Sequence, residues 1–402
     1  MITIKGKYNS AECYTDDIEY TAREQIKAMT NDPTFEGCKI RIMPDVHAGV
    51  GCTIGTTMTI GEKVAPSMVG VDIGCGMYTV ALGEMDIDLE AFDHAAHALP
   101  SGHGTRSEPV EPFDVSRLVC YKDIKRVAYA ACSLGTLGGG NHFIELDKDE
   151  AGETYLVVHS GSRNLGAQVA EHYMDVAVDL AMDKPSHMRE REELVRTLKR
   201  EKRDGQIQAS LRKLDDNWNA KRNTVSRERS CVYGQALEDY LHDLDVCIDF
   251  ARRNREIIAE SLLTAVGLRP VEAFHTVHNY IDTEMGVLRK GAISARKGER
   301  ILIPINMRDG ALICIGKGNE DWNSSAPHGA GRLMSRANAR RQLTLEEYRK
   351  EMRGIYTTSV GMNTIDESPM AYKSIHDILR NIRPTCTVVN RLKPIYNFKA
   401  GN

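Results

Sequence analysis

From Cys38 to Val80, short β-branched apolar runs alternate with glycines and polar residues, as in CKIRIMPDVHAGVGCTIGTTMTI and MVGVDIGCGMYTV. This rhythm predicts strands joined by tight turns that a ligand can approach. After Gly166 the period changes: Val169, Tyr173, Val176 and Leu180 fall four, three and four residues apart, one buried stripe on a helix, and Leu237, Leu241, Leu244 and Ile248 repeat it. Between the two stripes, at about 186–230, charge takes over, and Arg189 to Arg229 holds 13 Lys and Arg against 8 Asp and Glu. Leu194, Leu198, Ile207, Leu211, Leu214 and Trp218 keep a helical spacing there, which predicts a projecting helical pair whose mixed charge reads first as solvation. Strands return after Glu299 as ILIPINM and ALICIG. Without an internal repeat or low-complexity linker, the chain reads as one mixed α and β body, 1–402, with one helical excursion.

Composition narrows the class. With 402 residues, 42% of them apolar and 27% charged, the chain can bury a sizeable core, and a formal charge of -4 excludes both a disordered chain and a uniformly basic nucleic-acid coat. A local basic groove stays open. Met1 to Tyr20 carries Lys5, Lys7, Glu12, Asp16, Asp17 and Glu19 and lacks the apolar core of a secretion signal. No stretch approaches the roughly 20 apolar residues of a membrane span, so a cytoplasmic location is expected. Ten cysteines from Cys13 to Cys386 form no C-x-x-C pair, which argues against a disulfide framework or zinc ribbon and makes most of them small buried hydrophobes.

Candidate chemistry sits in glycine-flanked turns. Val71-Asp72-Ile73-Gly74-Cys75-Gly76 sets a carboxylate and a thiol three residues apart on backbone that bends sharply. His142 follows the run Gly138-Gly139-Gly140-Asn141, His159 ends an apolar strand at Ser160-Gly161-Ser162-Arg163, His278 precedes Asn279, and His328 opens His328-Gly329-Ala330-Gly331-Arg332. Singly, each reads as a turn residue or a satisfied core histidine. Jointly, thiolate, carboxylate and imidazoles predict a metal site beside phosphate-binding backbone amides, with manganese, zinc and iron all fitting.

The stretches PDVHAGVGCTIG, VGVDIGCGM, GTLGGGNHFIE, HSGSR, HNY, RKGA, HGAGR with MSR after it, and PMAYK occur in matching order across about nine tenths of the chain, which thereby resembles the RtcB family of RNA-splicing ligases. The resemblance implies an α+β fold with central packed mixed β-sheets flanked by helices. It also implies a ligase dependent on GTP and manganese that joins an RNA 3'-phosphate or 2',3'-cyclic phosphate end to a 5'-hydroxyl end, in splicing or repair. One manganese is implied on Cys75, His159 and His278 and a second on Asp72, Cys75 and His142, with the thiolate bridging. His328 corresponds to the nucleophile that takes GMP from GTP and releases pyrophosphate. Nucleotide contacts map onto Asn141, His142, Phe143, Ile144, Glu145, His278, Asn279, Pro304, Met307, Gly329, Ala330, Gly331 and Lys399, with Tyr372 as a stacking candidate. Asp45 falls where the family keeps a carboxylate facing the RNA end, with a plain turn residue as the alternative, and Arg163 and Arg332 are candidate phosphate clamps. RNA, GTP and an archease-type activator are the implied partners, with no membrane.

The chain also departs from the pattern. Pro304-Ile305-Asn306-Met307-Arg308-Asp309-Gly310 replaces the compact Pro-Gly-Ser-Met-Gly turn of the family, which bears on guanine selectivity, and the 186–230 segment looks like an addition. Lys202-Arg203-Asp204-Gly205 matches the K-x-D-G pattern of lysine-dependent ligases, but it sits amid alternating charge on an expected exposed helix and lacks a pocket. A binuclear metal-dependent phosphodiesterase or phosphatase would use the same ligands without a histidine nucleophile. A purely RNA-binding module would need an aromatic ladder, and only 6% of the residues are aromatic.

Overall fold

The computed structural model describes residues 1–400; the last two positions of the predicted 1–402 body lie outside the described residues. The protein is an α+β structure built on two large sheets. A six-stranded sheet runs in the order Ile2–Lys5, Ser10–Cys13, Ile40–His47, Ile54–Thr59, Val287–Lys290, Asn279–Asp282. Its one parallel pairing joins Ser10–Cys13 to Ile40–His47, and helix Tyr20–Thr30 lies on the crossover that such a pairing requires. A seven-stranded antiparallel sheet runs Glu272–Val277, Gly76–Glu84, Glu153–Ser160, Phe143–Lys148, Cys386–Phe398, Gly310–Gly316, Arg300–Asn306. Its edge strands approach each other, Leu302 N donating to Thr276 Oγ1 at 3.1 Å, so the sheet curls toward a barrel. Met77, Phe143, Val157, Leu302 and Ile313 pack together on its concave side.

Both predicted helical stripes are present. Val169 and Tyr173 are buried on helix Arg163–Ala181, with Val176 and Leu180 packed at the margin of the same cluster. Helix Gln235–Ala265 does more than its stripe promised. Its first half sends Tyr240, Leu244 and Phe250 into the core shared with the six-stranded sheet, and its second half sends Ile258, Leu262 and Leu263 into the core behind the seven-stranded one. One long helix thus fixes the two sheets relative to each other. No helix among the described residues is long and apolar enough to cross a membrane.

The charged excursion forms two helices, Lys184–Arg200 and Ile207–Arg222. Of its expected apolar stripe only Leu198 is fully buried, because two helices without a third partner make only a thin seam. The root is tied down by His187 stacked on Trp218, ring centroids 4.3 Å apart, and by Arg222 bonded to Asp175 and Asp179 of the preceding helix. Lys202 lies in the exposed turn between the two helices rather than on a helix, with φ 57° and no pocket around it.

Candidate active site

The register of the seven-stranded sheet gathers the metal-type residues. Neighbouring antiparallel strands alternate direction, so one end of the sheet receives the C-terminal end of one strand and the N-terminal start of the next. His278 follows strand Glu272–Val277, Cys75 precedes Gly76–Glu84, His159 lies opposite Met77 near the end of Glu153–Ser160, and His142 precedes Phe143–Lys148. Four strands thus deliver four donors to one point. Cys75 Sγ lies 3.3 Å from His159 Nε2 and 3.4 Å from His142 Nε2, while His159 Nε2 and His278 Nε2 are 3.1 Å apart. Asp72 Oδ2 approaches His142 Nε2 at 3.2 Å.

The donor atoms form two groups, Cys75–His159–His278 and Asp72–Cys75–His142, and all atoms within each lie within 4.8 Å of one another. This donor chemistry fits cations. His142 Nδ1 faces the Leu137 carbonyl at 2.9 Å and His159 Nδ1 faces the Asn141 carbonyl at 3.1 Å. Each Nδ1 therefore donates outward, and each Nε2 turns its lone pair into the cluster. Burial, then the nearby His142 charge, drives His159 well below the ordinary histidine range, and burial with His328 does the same to His278. Burial, then the Asp72 charge, pushes the Cys75 thiol well up, so it ionises only against a cation. Burial also raises the Asp72 carboxyl, but hydrogen bonding and attraction to His142 outweigh it and hold Asp72 well below the usual range. Close packing at the cluster depends on glycine: a Cβ on Gly161 would lie 2.0 Å from Asp72 Oδ1.

A cleft of about 770 Å³, counted out to its open mouth, adjoins the cluster at His159, within the range of small-ligand sites. His328 lines it. The Asp45 carboxylate, fully buried at the end of strand Ile40–His47, accepts from His328 N at 3.1 Å and lies 2.7 Å from His328 Nδ1. This fixes the imidazole and leaves Nε2 as its remaining nitrogen, while the His278 ring stands 4.8 Å from the His328 ring between cleft and cluster. Gly331 closes the corner: it has φ +77° and a Cβ there would lie 2.4 Å from the Asp45 carbonyl oxygen.

Of the residues mapped as nucleotide contacts, Asn141, Phe143, Glu145, Pro304, Met307, Gly329, Ala330, Gly331, Tyr372 and Lys399 line this cleft, as does Arg332. His142 and His278 stand in the metal-type cluster instead. Ile144 does not face the cleft; strand alternation sends it into the core behind the sheet. Asn279 ties backbone together, donating to the Asp72 carbonyl and accepting from Gly291 N. Arg163 donates to Thr136 Oγ1 and to the Gly102 carbonyl and is absent from the cleft lining. Asp45 is a strand residue, not a turn residue.

Motif reading did not single out His47, Asn306, Arg336 and Asn397, which also line the cleft. It also missed Glu367, a 2%-exposed carboxylate bonded to Lys399 Nζ at 2.6 Å, Tyr372 OH at 2.6 Å, and Arg332 and Arg336. In the altered turn, Asn306 Oδ1 accepts from Arg308 N and Asp309 N, so this side chain is satisfied within its own loop.

The curled sheet, the shared thiol and the adjoining cleft define a candidate metalloenzyme centre. Comparison with known proteins names its kind. The family model described as tRNA-splicing ligase RtcB matches residues 25–117 and 122–400, and the chain belongs to the RtcB family. It is 28% identical to the RNA-splicing ligase RtcB of Escherichia coli K12 and to RtcB1 of Escherichia coli ATCC 25922, over 94% of each chain in both cases. It is 25% identical to the tRNA-splicing ligase RtcB of Aeropyrum pernix, over 88% of this chain and 86% of that one.

Proposed function

We propose that the chain is an RNA ligase that uses GTP to join a 3'-phosphate or 2',3'-cyclic phosphate end to a 5'-hydroxyl end, with His328 as the nucleophile. The observation that carries this reading is the Asp45–His328 pair at the wall of a nucleotide-sized cleft beside the thiolate and imidazole cluster. With Nδ1–H held by the Asp45 carboxylate, Nε2 of the neutral ring keeps its lone pair for the α-phosphorus of GTP. An N–P bond forms as the bond to the β-phosphate breaks, and pyrophosphate leaves. Asp45 offsets the positive charge that develops on the ring. An RNA 3'-phosphate oxygen then takes the GMP from His328, and the 5'-hydroxyl attacks that 3'-phosphorus with GMP as the leaving group. A cyclic end first adds water to become a 3'-phosphate.

Cys75, His159 and His278 would hold one manganese and Asp72, Cys75 and His142 a second. Bound there, the ions would supply Lewis-acid stabilisation of phosphate oxygens. Arg332 and Arg336 line the cleft, and their guanidinium groups match phosphate geometry. An archease-type activator is the partner this reading admits. Purified protein given manganese and GTP should gain the mass of one GMP, in a bond that acid cleaves and alkali spares, and His328→Ala should gain none. If the wild type gained no adduct yet hydrolysed a 2',3'-cyclic phosphate, with His328→Ala equally active, a metallophosphodiesterase would take the ligase's place.

A further inference from the structure

Beneath the cleft a second carboxylate stands alone. Asp147 is fully buried, and neither of its oxygens has a hydrogen-bond partner. It lies two residues beyond Glu145 on the same face of strand Phe143–Lys148, so the two carboxyls come within hydrogen-bonding reach. An ionised carboxylate in such a place would be an uncompensated buried charge. Asp147 is therefore the protonated member, and a buried carboxylic O–H needs an acceptor. Other groups near the pair are already engaged. Tyr155, opposite Asp147, bonds Glu153; Asn397, opposite Glu145, donates to Glu145 Oε2 at 2.5 Å; and Lys399, the cation that reaches Glu145, is paired with Glu367.

We propose that Asp147 donates its proton to Glu145 in a shared hydrogen bond, and that this positions an anionic Glu145 to select a guanine over an adenine base in the cleft. The selection follows from the base edges: guanine offers N1–H and a 2-amino group as donors, whereas adenine has an acceptor at N1. Asp147 is a positioning residue, since it does not line the cleft. The inference rests on the cleft being the GTP site. Burial holds the Glu145 carboxyl up at about 7, with Asn397, Asp147 and Lys399 pulling it back down. Guanine selectivity should therefore increase as the pH rises through that value, and losing the Asp147 donor should move the rise to higher pH.

The experiment compares GTP and ATP affinity on a His328→Ala background from pH 6 to 9, about one tenfold step in proton concentration per unit. Using the ratio cancels the pH response of the triphosphate and of the metal-type ligands. The reference protein should favour GTP increasingly across the range. Asp147→Asn, which keeps a donor, should retain that profile, while Asp147→Leu should shift its midpoint up by about one pH unit, weakening GTP roughly tenfold near neutrality. An unshifted profile in Asp147→Leu overturns the proposal. Should Asp147→Leu fail to fold, Asp147→Asn is set against Glu145→Gln: the rise must persist in the first and vanish in the second, and any other result overturns it. If the reference protein binds neither nucleotide, and the wild type takes no label from GTP, the nucleotide reading itself falls and the inference with it.

Discussion

Lys399 Nζ and Glu367 Oε2 are 2.6 Å apart, both residues almost wholly buried, and the ammonium also stands 5.4 Å from the centre of the Phe143 ring in the cleft wall. Glu367 is the hub on which Lys399, Tyr372, Arg332 and Arg336 converge. Removing it would strand buried cations, a defect of about 3–5 kcal/mol. Glu367→Ala is expected to lose stability on that scale in denaturant titration. Glu367→Gln should keep the fold and weaken GTP binding about tenfold or more, an effect of about 1.4 kcal/mol.

The same residue sets an acid response. Burial raises the Glu367 carboxyl, but the charges of Lys399 and Arg336 hold it down at about 2. A depressed folded-state value means that the stabilisation is complete above the ordinary carboxyl range near 4.3, and is lost as the pH falls toward about 2. Thermal unfolding between pH 5 and about 2 should show wild type losing more stability than Glu367→Gln.

Asp45→Asn would keep the shape beside His328 but could favour the wrong tautomer and could not offset ring charge. Histidine guanylylation should drop about 10²- to 10⁴-fold with bound metal unchanged, as read by rapid-quench labelling and elemental analysis. Equal losses of metal and labelling would place Asp45 in the cluster instead.

The two donor groups share one atom, and single substitutions should reveal this. Cys75→Ala should release both ions, whereas His142→Ala should spare the group of Cys75, His159 and His278. Metal content after dialysis decides it. Equal retention by both variants would contradict a bridging thiolate.

Gly331→Ala meets the Asp45 carbonyl at 2.4 Å and a backbone of φ +77°, while Gly329→Ala meets only the Pro304 carbonyl at 3.3 Å. The first should cost about 1–3 kcal/mol and most labelling activity, and the second far less. Urea unfolding with parallel GTP labelling tests the contrast.

The metal-type donors were legible because each lies in a short glycine-flanked motif at a strand end, and Asp72, Cys75, His142, His159 and His278 all arrive where those motifs pointed. Motif adjacency failed where strand geometry intervenes, as at Ile144, which shares a motif with Glu145 but faces the opposite side. Glu367 was invisible because its meaning lies in four cations brought to it from distant segments. The helical stripes at 169–180 and 237–248 predicted their helices, yet not that one helix would reach 31 residues and bridge both cores. Burial of seven of the ten cysteines agrees with a scattered spacing, and only Cys75 has metal-type partners among the described residues.

Strand Cys386–Phe398 does not lie at an edge; it is inserted between Phe143–Lys148 and Gly310–Gly316, in the interior of the sheet that bears the cluster. A ribosome must therefore release residue 398 before the sheet is continuous, and until then the early strands hold their histidines beside an unfilled slot. Activity should appear only after this late insertion, which makes the enzyme inert while its own message is still being read.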